Sequence, residues 1–319
     1  MAASPLENAA FTIPMRLAAP DLTSDFDLTR QELSSLLALA SKVKANPPRF
    51  ARALSGRYLS LLFEKPSLRT RLTFELAIKQ LGGDAVLSTG PIGGREPLQD
   101  IARNLDRWTN CIVARTFSQK TIDDLAAWSK VPVINALSDL YHPCQALADV
   151  FTLREQFGPV LRGRKLAYVG DGNNVAHSLM ICSAHIGLDF SAATPAGYPP
   201  DLKIVARAQA LAAVTGSRFT VTNDAAEAVC GADAVYTDVW ASMGHESERE
   251  QRRNDFTAYQ VNEALMAKAK PGARFMHCLP AKRGEEVTDP VIESAQSVVF
   301  DQAENRLHVQ KALLLMLLS

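Results

Sequence analysis

Residues 63–71, FEKPSLRTR, combine side chains that suit a bound anion. Ser67 and Thr70 supply hydroxyl donors, while Arg69 and Arg71 supply guanidinium groups that match phosphate oxygens in charge and geometry. The segment follows a strand-like apolar run and begins a helix-periodic pattern, so unpaired helix N–H groups add to it. A lone arginine at a helix start is usually solvated, but two arginines and two hydroxyls in one turn predict an anion site.

A second polar group stands at residues 142–145, HPCQ, where Pro143 suits the first turn of another predicted helix. The imidazole of His142 can polarise a carbonyl oxygen, and the Gln145 amide can bind an amide nitrogen or oxygen. A lone histidine at this position is more often a helix cap without a ligand. Arg115 ends a predicted strand, where a single arginine would ordinarily have no function.

A glycine-containing turn, GDGNN at 170–174, follows the predicted strand 166–169. Such a turn can bind a dinucleotide, but the third glycine of the usual fingerprint is missing. The simpler interpretation is a tight turn in which the Asn173 side chain bonds the backbone. A nucleotide-dependent oxidoreductase therefore remains an alternative, although the 170–174 turn matches the dinucleotide-binding motif poorly.

The Ser-Leu-Arg-Thr-Arg segment resembles the Ser-Thr-Arg-Thr-Arg carbamoyl-phosphate signature of the aspartate and ornithine carbamoyltransferases. Leu68 departs from the usual threonine, so one hydroxyl is lost while its backbone N–H remains. Further motifs of that family follow in order and at family spacing, from about residue 22 to the C-terminus. They are HPCQ at 142–145, DVWASMG at 238–244, HCLPA at 277–281 and AENR at 303–306.

The resemblance implies two neighbouring substrate sites. The expected carbamoyl-phosphate site comprises Ser67, Leu68, Arg69, Thr70, Arg115, His142, Gln145, Cys278, Leu279 and Arg306. The expected ornithine site comprises Asn174, Asp238, Ser242 and Met243. The expected catalytic residues are Arg69, Arg115, His142, Asp238 and Cys278.

The resemblance also implies a direct transfer, with phosphate as the leaving group and without covalent attack by Cys278. Asp238 and Cys278 are both candidates for accepting the amine proton. The DxxxSMG pattern is absent from the family branches that use aspartate or acylated ornithines, so it favours free ornithine. The charged stretch 245–255 is by default a solvated loop, and the family has a mobile lid there with Gly244 near its hinge.

Composition indicates a soluble globular protein with little affinity for polyanions. The chain has 319 residues, 47% apolar and 21% charged, with 34 basic and 34 acidic side chains. That balance predicts no nucleic-acid partner and no binding to an anionic membrane. Five cysteines, an odd number without metal-knuckle spacing, favour a reducing compartment. The N-terminus lacks a secretory pattern and the longest apolar run, 312–318, is too short for a bilayer. We therefore expect a cytoplasmic protein. The direct transfer that the resemblance implies needs no metal or organic cofactor.

The elements that must position these residues alternate between strand and helix patterns, which predicts an α/β fold of two parallel-sheet domains with helices on both faces. A long helix, about 142–157, is expected to join them, and a C-terminal helix, about 303–318, to return to the first. We predict a carbamoyl-phosphate domain at 1–150 with 303–319, and an ornithine domain at 151–302. The helix at 97–108 should place Ile101, Leu105 and Trp108 on one face. The predicted strands are 58–63, 85–87, 111–115, 131–134, 166–169, 191–193, 219–221, 234–237 and 274–276.

Several alternatives remain open at this point. The acceptor could be aspartate, putrescine or an acylated ornithine, and the chain could be an inactive homologue that only binds. The family implies a homotrimer in which a loop of a neighbouring chain reaches the site. The matching segment, 88–96, is glycine-rich and lacks the family's usual polar side chain. Arginine biosynthesis is preferred over citrulline breakdown as the commoner role.

Overall fold

Nine parallel strands form two separate sheets in the computed structural model, which describes residues 15–241 and 248–319. The strands are β1 (Tyr58–Phe63), β2 (Asp84–Thr89), β3 (Cys111–Arg115), β4 (Val133–Leu137), β5 (Lys165–Val169), β6 (Asp189–Ala193), β7 (Phe219–Thr222), β8 (Ala234–Thr237) and β9 (Arg274–His277). The first sheet has the order β2-β1-β3-β4 and the second β7-β6-β5-β8-β9. The predicted fold of two parallel sheets is confirmed.

Helices cover both sheets, which explains why strands β3, β6 and β8 are buried along their whole length and largely apolar. The α-helices of the described residues are α1 (Arg30–Ala45), α2 (Arg69–Gln80), α3 (Leu98–Trp108), α4 (Gln119–Trp128), α5 (Pro143–Phe157), α6 (Asn174–Ile186), α7 (Leu202–Thr215), α8 (Ala225–Val229), α9 (Arg249–Phe256), α10 (Glu263–Met266), α11 (Asp289–Ile292) and α12 (Val299–Leu318). No helix of that described part combines the length and apolar character needed to cross a bilayer.

Two helices connect the sheets. Helix α5 lies between them in sequence and is buried along most of its length. Helix α12 packs against α1, α2 and α5, and it also contacts β9 of the second sheet. The predicted return of the C-terminal helix is therefore confirmed, although α12 begins at Val299 rather than near residue 303. The predicted domain limits stay a prediction.

Two local predictions are wrong. The strand predicted at 131–134 lies at Val133–Leu137, because the N–H of Val131 bonds Asp106 and Ser129 instead of a neighbouring strand. In α3, Ile101 and Leu105 join an apolar cluster beneath the helix, but Trp108 lies outside it and is 69% exposed. The helical repeat correctly predicted which face of α3 is buried, but it extended that buried face too far toward the C-terminal end of the helix.

Candidate active site

An arginine cluster around Thr70 is formed by Arg69 at the start of α2, Arg115 at the end of β3 and Arg306 within α12. Thr70 is buried in the first turn of α2, and its hydroxyl oxygen accepts from Arg306 Nη2 at 2.5 Å. Arg115 ends β3, and its Nη1 lies 3.5 Å from the same oxygen. Within residues 15–241 and 248–319, none of the three arginines has a carboxylate partner. The cluster therefore presents uncompensated positive charge.

Burial changes the electrostatics of this cluster. Burial, followed by the charge of Arg306, lowers the pKa of Arg115 to about 10; Cys278 opposes this shift, and Arg69 adds slightly to it. Burial also lowers the pKa values of Arg69 and Arg306. The Nε atoms of Arg115 and Arg306 are buried without a hydrogen-bond partner among the described residues. Free donors on clustered guanidinium groups are suited to a phosphate.

The rest of the predicted phosphate turn is less buried. Ser67 is half-buried, while the Leu68 side chain is 70% exposed and takes no part in the cluster. Arg71 is also exposed. Only one of the two arginines in this turn thus faces the site, and Leu68 can contribute no more than its backbone.

His142 stands beside the cluster at the start of α5. Its backbone N–H donates to Ser178 Oγ at 2.9 Å, which ties it to α6 below the second sheet. Burial holds the pKa of His142 well below 6.5, and the charges of Arg306 and Arg115 act in the same direction. The imidazole is therefore neutral at physiological pH. A neutral imidazole beside two cations can donate a hydrogen bond to a carbonyl oxygen on which charge develops.

Gln145, one turn further along α5, is hydrogen-bonded at both ends of its amide. Its Oε1 accepts from Arg306 Nη1, and its Nε2 donates to Asp149 Oδ1 at 2.7 Å. Asp149 is fully buried, and burial raises its pKa to about 7. Sequence motifs did not identify Asp149, because its partner Gln302 comes from the distant helix α12.

An acidic pair, Asp238 and Cys278, lies at the ends of β8 and β9. Asp238 Oδ1 accepts from Cys278 Sγ at 3.0 Å and from the Val239 N–H at 2.8 Å. Asp238 Oδ2 accepts from Asn173 Nδ2 at 2.9 Å. The structure thus brings together the two residues expected beside the ornithine amine.

The Cys278 thiol is a hydrogen-bond donor in this pair. Burial and then the charge of Asp238 raise its pKa well above 9.0. A thiol with a raised pKa is a poor nucleophile, because the thiolate is the reactive form. Of the two candidates, the geometry favours Asp238 as the proton acceptor.

Asn173 and Asn174 have different partners. Asn173 caps α6 through bonds from the N–H groups of Val175 and Ala176, as the turn chemistry predicted, and it also orients Asp238. Asn174 Nδ2 donates to the Ser138 carbonyl at 2.6 Å, beyond the end of β4. The contact from Asn173 to Asp238 was missed because it crosses between two strands of the sheet.

The glycine turn before these asparagines is covered. A Cβ atom on Gly172 would lie 2.2 Å from Pro200 N and 2.3 Å from the Pro199 carbonyl carbon. Gly172 is therefore required for close packing of the backbone at 199–200. This close contact leaves no access for a pyrophosphate at that glycine and argues against dinucleotide binding.

Ser242, Met243 and Gly244 lie outside the described residues, as does 245–247. Within the predicted solvated stretch, Arg252 is instead buried in α9, because it is paired with Asp171 at 2.7 Å. The Arg252 guanidinium also donates to the Trp240 carbonyl at 3.0 Å. This arginine anchors the segment that follows Asp238 to the glycine turn.

Leu279 follows Cys278 with a positive φ of 58°, an unusual conformation for a branched side chain. Its N–H donates to His277 Nδ1 at 2.9 Å, while His277 Nε2 pairs with Glu286 at 3.0 Å. Asp238, His277 and Cys278 place possible metal-ligating atoms within 4.8 Å of one another. Both ring nitrogens of His277 are already engaged, so the donor set does not fit a metal ion.

The two halves of this site match two models of one family. "Aspartate/ornithine carbamoyltransferase, carbamoyl-P binding domain" matches residues 21–155, and "Aspartate/ornithine carbamoyltransferase, Asp/Orn binding domain" matches residues 162–317. The chain therefore belongs to the aspartate/ornithine carbamoyltransferase family, a class of transferases.

Within that family the chain is similar to ornithine carbamoyltransferases. It is 50% identical over 310 residues to "Ornithine carbamoyltransferase" of Thermococcus kodakarensis, covering 93% of this chain and 96% of the relative. It is 50% identical over 303 residues to "Ornithine carbamoyltransferase, anabolic" of Pyrococcus furiosus, with 93% and 96% covered. The solved structure of the Pyrococcus furiosus ornithine carbamoyltransferase superposes with a TM-score of 0.92, at 48% identity, covering 95% of this chain and 98% of that one.

Proposed function

We propose that this protein transfers the carbamoyl group of carbamoyl phosphate to the side-chain amine of L-ornithine, forming L-citrulline and phosphate. One observation carries the proposal: the arginine cluster lies directly beside the acidic pair. Cys278 is close enough to Arg69, Arg115 and Arg306 for its ionised form to raise the pKa of each. An anionic donor and an ammonium acceptor would thus bind side by side.

In the proposed reaction the nitrogen of ornithine attacks the carbonyl carbon while the bond from that carbon to the phosphate oxygen breaks. An alkylamine is neutral for only about one part in a few thousand at neutral pH, judged from lysine. The Asp238 carboxylate accepts the first amine proton, and the second leaves with the phosphate. Thr70, Arg115 and His142 stabilise charge on the carbonyl oxygen, while Arg69 and Arg306 hold the phosphate.

The remaining substrate contacts are assigned by resemblance. Ser67, the Leu68 backbone, Gln145, Cys278 and Leu279 are proposed to complete the carbamoyl-phosphate site. Asn174, Ser242 and Met243 are proposed to bind the amino-acid end of ornithine. The proposed domains are 1–150 with 303–319 for carbamoyl phosphate and 151–302 for ornithine. The two matching family models support a division between residues 155 and 162. The second model extends to residue 317, so the place of 303–319 in the first domain rests on the packing of α12 against α1 and α2.

The direct test is citrulline formation with a panel of amines. L-Ornithine should support turnover, while L-aspartate, putrescine and N-acetyl-L-ornithine should not. Faster turnover of any of these three would refute ornithine as the acceptor. Absence of turnover with all four amines, in protein that binds carbamoyl phosphate, would indicate an inactive homologue.

We further propose a homotrimer. Leu68, Leu72 and Leu76 are exposed at spacings of four residues, so they form an apolar stripe along α2. That helix also carries the proposed phosphate turn, so a subunit contact there would lie near the site. Leu72→Asp should lower the mass measured by analytical ultracentrifugation, whereas Leu202→Asp, at an exposed leucine of α7, should leave it unchanged. Equal masses for both variants would exclude this face as the contact.

The proposed role is arginine biosynthesis in the cytoplasm. The name of the Pyrococcus furiosus relative, "anabolic", supports the first part. The five cysteines, all of them free, support a reducing compartment. A biosynthetic enzyme should show hyperbolic saturation with carbamoyl phosphate, so strong cooperativity would favour the catabolic role.

A further inference from the structure

Asp149 occupies the centre of a hydrogen-bond chain behind the arginine cluster. It is fully buried on α5, and its Oδ1 accepts from two neutral amides, Gln145 Nε2 and Gln302 Nε2, each at 2.7 Å. Neither partner neutralises the carboxylate. A buried acid with only neutral donors destabilises a fold, so its presence calls for a role beyond packing.

The chain continues from each amide toward a different half of the site. On one side Gln145 Oε1 accepts from Arg306, which also donates to Thr70. On the other side Gln302 Oε1 accepts from the His277 N–H at 3.0 Å. His277 directly precedes Cys278 and accepts from the Leu279 N–H. One carboxylate thus lies between the arginine cluster and the backbone that carries the acidic pair.

Asp149 contributes to how both amides are turned. Above its pKa of about 7 the ionised carboxylate only accepts, so each glutamine directs its NH₂ group toward Asp149 and its carbonyl away from it. The Gln145 carbonyl then faces the arginine cluster, where it can accept from the N–H of a carbamoyl group. The Gln302 carbonyl faces the His277 N–H. Removing Asp149 would take away the acceptor that both NH₂ groups have in the described structure, so each amide would be held at its carbonyl end alone.

We infer that Asp149 is a positioning residue, which orients Gln145 toward the carbamoyl group and, through Gln302, holds the backbone at 277–279 for the amine acceptor. The inference rests on the proposed function, since it concerns the same reaction. Asp149 itself touches neither substrate.

The test compares Asp149→Leu with Thr152→Val. Thr152 lies one turn away on α5, is equally buried, and accepts from Asn305 of α12 at 2.9 Å without any link to Gln145. Thr152→Val therefore removes a similar contact between the two helices. Asp149→Leu should raise the KM for carbamoyl phosphate about tenfold and lower kcat by a similar factor, while Thr152→Val should leave both within about twofold. Equal KM values in the two variants would overturn the inference.

Two further variants keep the inference testable if Asp149→Leu does not fold. Asp149→Asn keeps an acceptor for both amides and should retain most of the activity. Gln302→Met should raise the KM for ornithine and leave the KM for carbamoyl phosphate within about twofold, because only the branch to His277 is lost. An unchanged ornithine KM in Gln302→Met would refute the second branch.

A second readout separates orientation from general damage. Acetyl phosphate has a methyl group in place of the carbamoyl NH₂, so it cannot donate to the Gln145 carbonyl. Asp149→Leu should narrow the preference for carbamoyl phosphate over acetyl phosphate as a competing ligand, whereas Thr152→Val should keep it. Wild-type protein that forms no citrulline refutes the proposed function, while active wild type with an unchanged preference in Asp149→Leu refutes the role of Asp149.

Discussion

The arginine cluster holds buried guanidinium nitrogens that have no partner in the part of the chain that the structure describes, whereas both carboxylate oxygens of Asp238 in the acidic pair are hydrogen-bonded. The cluster draws Arg69, Arg115 and Arg306 from α2, β3 and α12. The acidic pair instead follows neighbouring strands of one sheet. The arginine cluster therefore needs an anion to balance its charge, whereas the acidic pair is already oriented by hydrogen bonds from its neighbours.

The largest effect should come from removing a charge of the arginine cluster. Arg69→Ala should lower kcat/KM for carbamoyl phosphate about 1000-fold, because Arg69 is the half-buried cation that this turn contributes to the arginine cluster. The measurement is steady-state citrulline formation. Arg71→Ala, which removes an exposed arginine of the same turn, should change the rate no more than about threefold. Comparable losses in both variants would show that the turn does not bind phosphate through Arg69.

Asp238→Asn should lower kcat/KM for ornithine about 100-fold, because an amide cannot accept the amine proton. The asparagine side chain has the same shape as aspartate and can still contact Asn173 and Cys278, so the local structure should be preserved. The affinity for carbamoyl phosphate should therefore not change. Calorimetric titration of carbamoyl phosphate measures that affinity. A parallel loss of carbamoyl-phosphate binding would mean that the two regions are not independent.

Cys278→Ser should cost only about tenfold in kcat, since a serine hydroxyl can still donate to Asp238. A covalent role for the thiol predicts a much larger loss and a trapped acyl-enzyme. Single-turnover kinetics with mass spectrometry of the quenched protein distinguish these outcomes. Detection of a carbamoylated Cys278 during turnover would overturn direct transfer.

The smallest expected effect is on the reactivity of the Cys278 thiol. Because Asp238 adds to burial in raising the pKa of Cys278, Asp238→Asn should lower that pKa and increase the thiolate fraction at a given pH. Alkylation of Cys278 by iodoacetamide at pH 8 should therefore be about threefold faster in Asp238→Asn. The exposed Cys230 is replaced by serine in both proteins as a control. Slower alkylation in Asp238→Asn would contradict the hydrogen bond from thiol to carboxylate.

Local sequence was sufficient wherever a motif directly follows a strand. Arg115 and Asp238 could be placed from their strands, because ligands in parallel α/β folds bind at the carboxyl ends of strands. The alternation of strand and helix patterns also predicted both sheets. These features depend on neighbouring residues or on rules that hold for the fold class.

Contacts between distant segments could not be predicted in this way. The partners of Asp149 and Asn173 come from other elements, and nothing in the local spacing specifies them. Arg252 looked like a solvated charge because its neighbours are charged, and only the tertiary structure reveals Asp171 opposite it. The exposed Trp108 illustrates the same limit, since a helical repeat does not indicate where the supporting surface ends.

The packing of α12 against α1 has a consequence for synthesis of the protein. The buried face of α1, which includes Leu33, Leu36 and Leu37, emerges from the ribosome long before α12 is made. A nascent chain therefore carries an uncovered apolar surface, and it lacks Arg306, until nearly all of the chain described here has been translated. Such long-range closure slows folding and exposes intermediates to aggregation. Chaperone binding to the emerging chain would thus be expected to concentrate on α1.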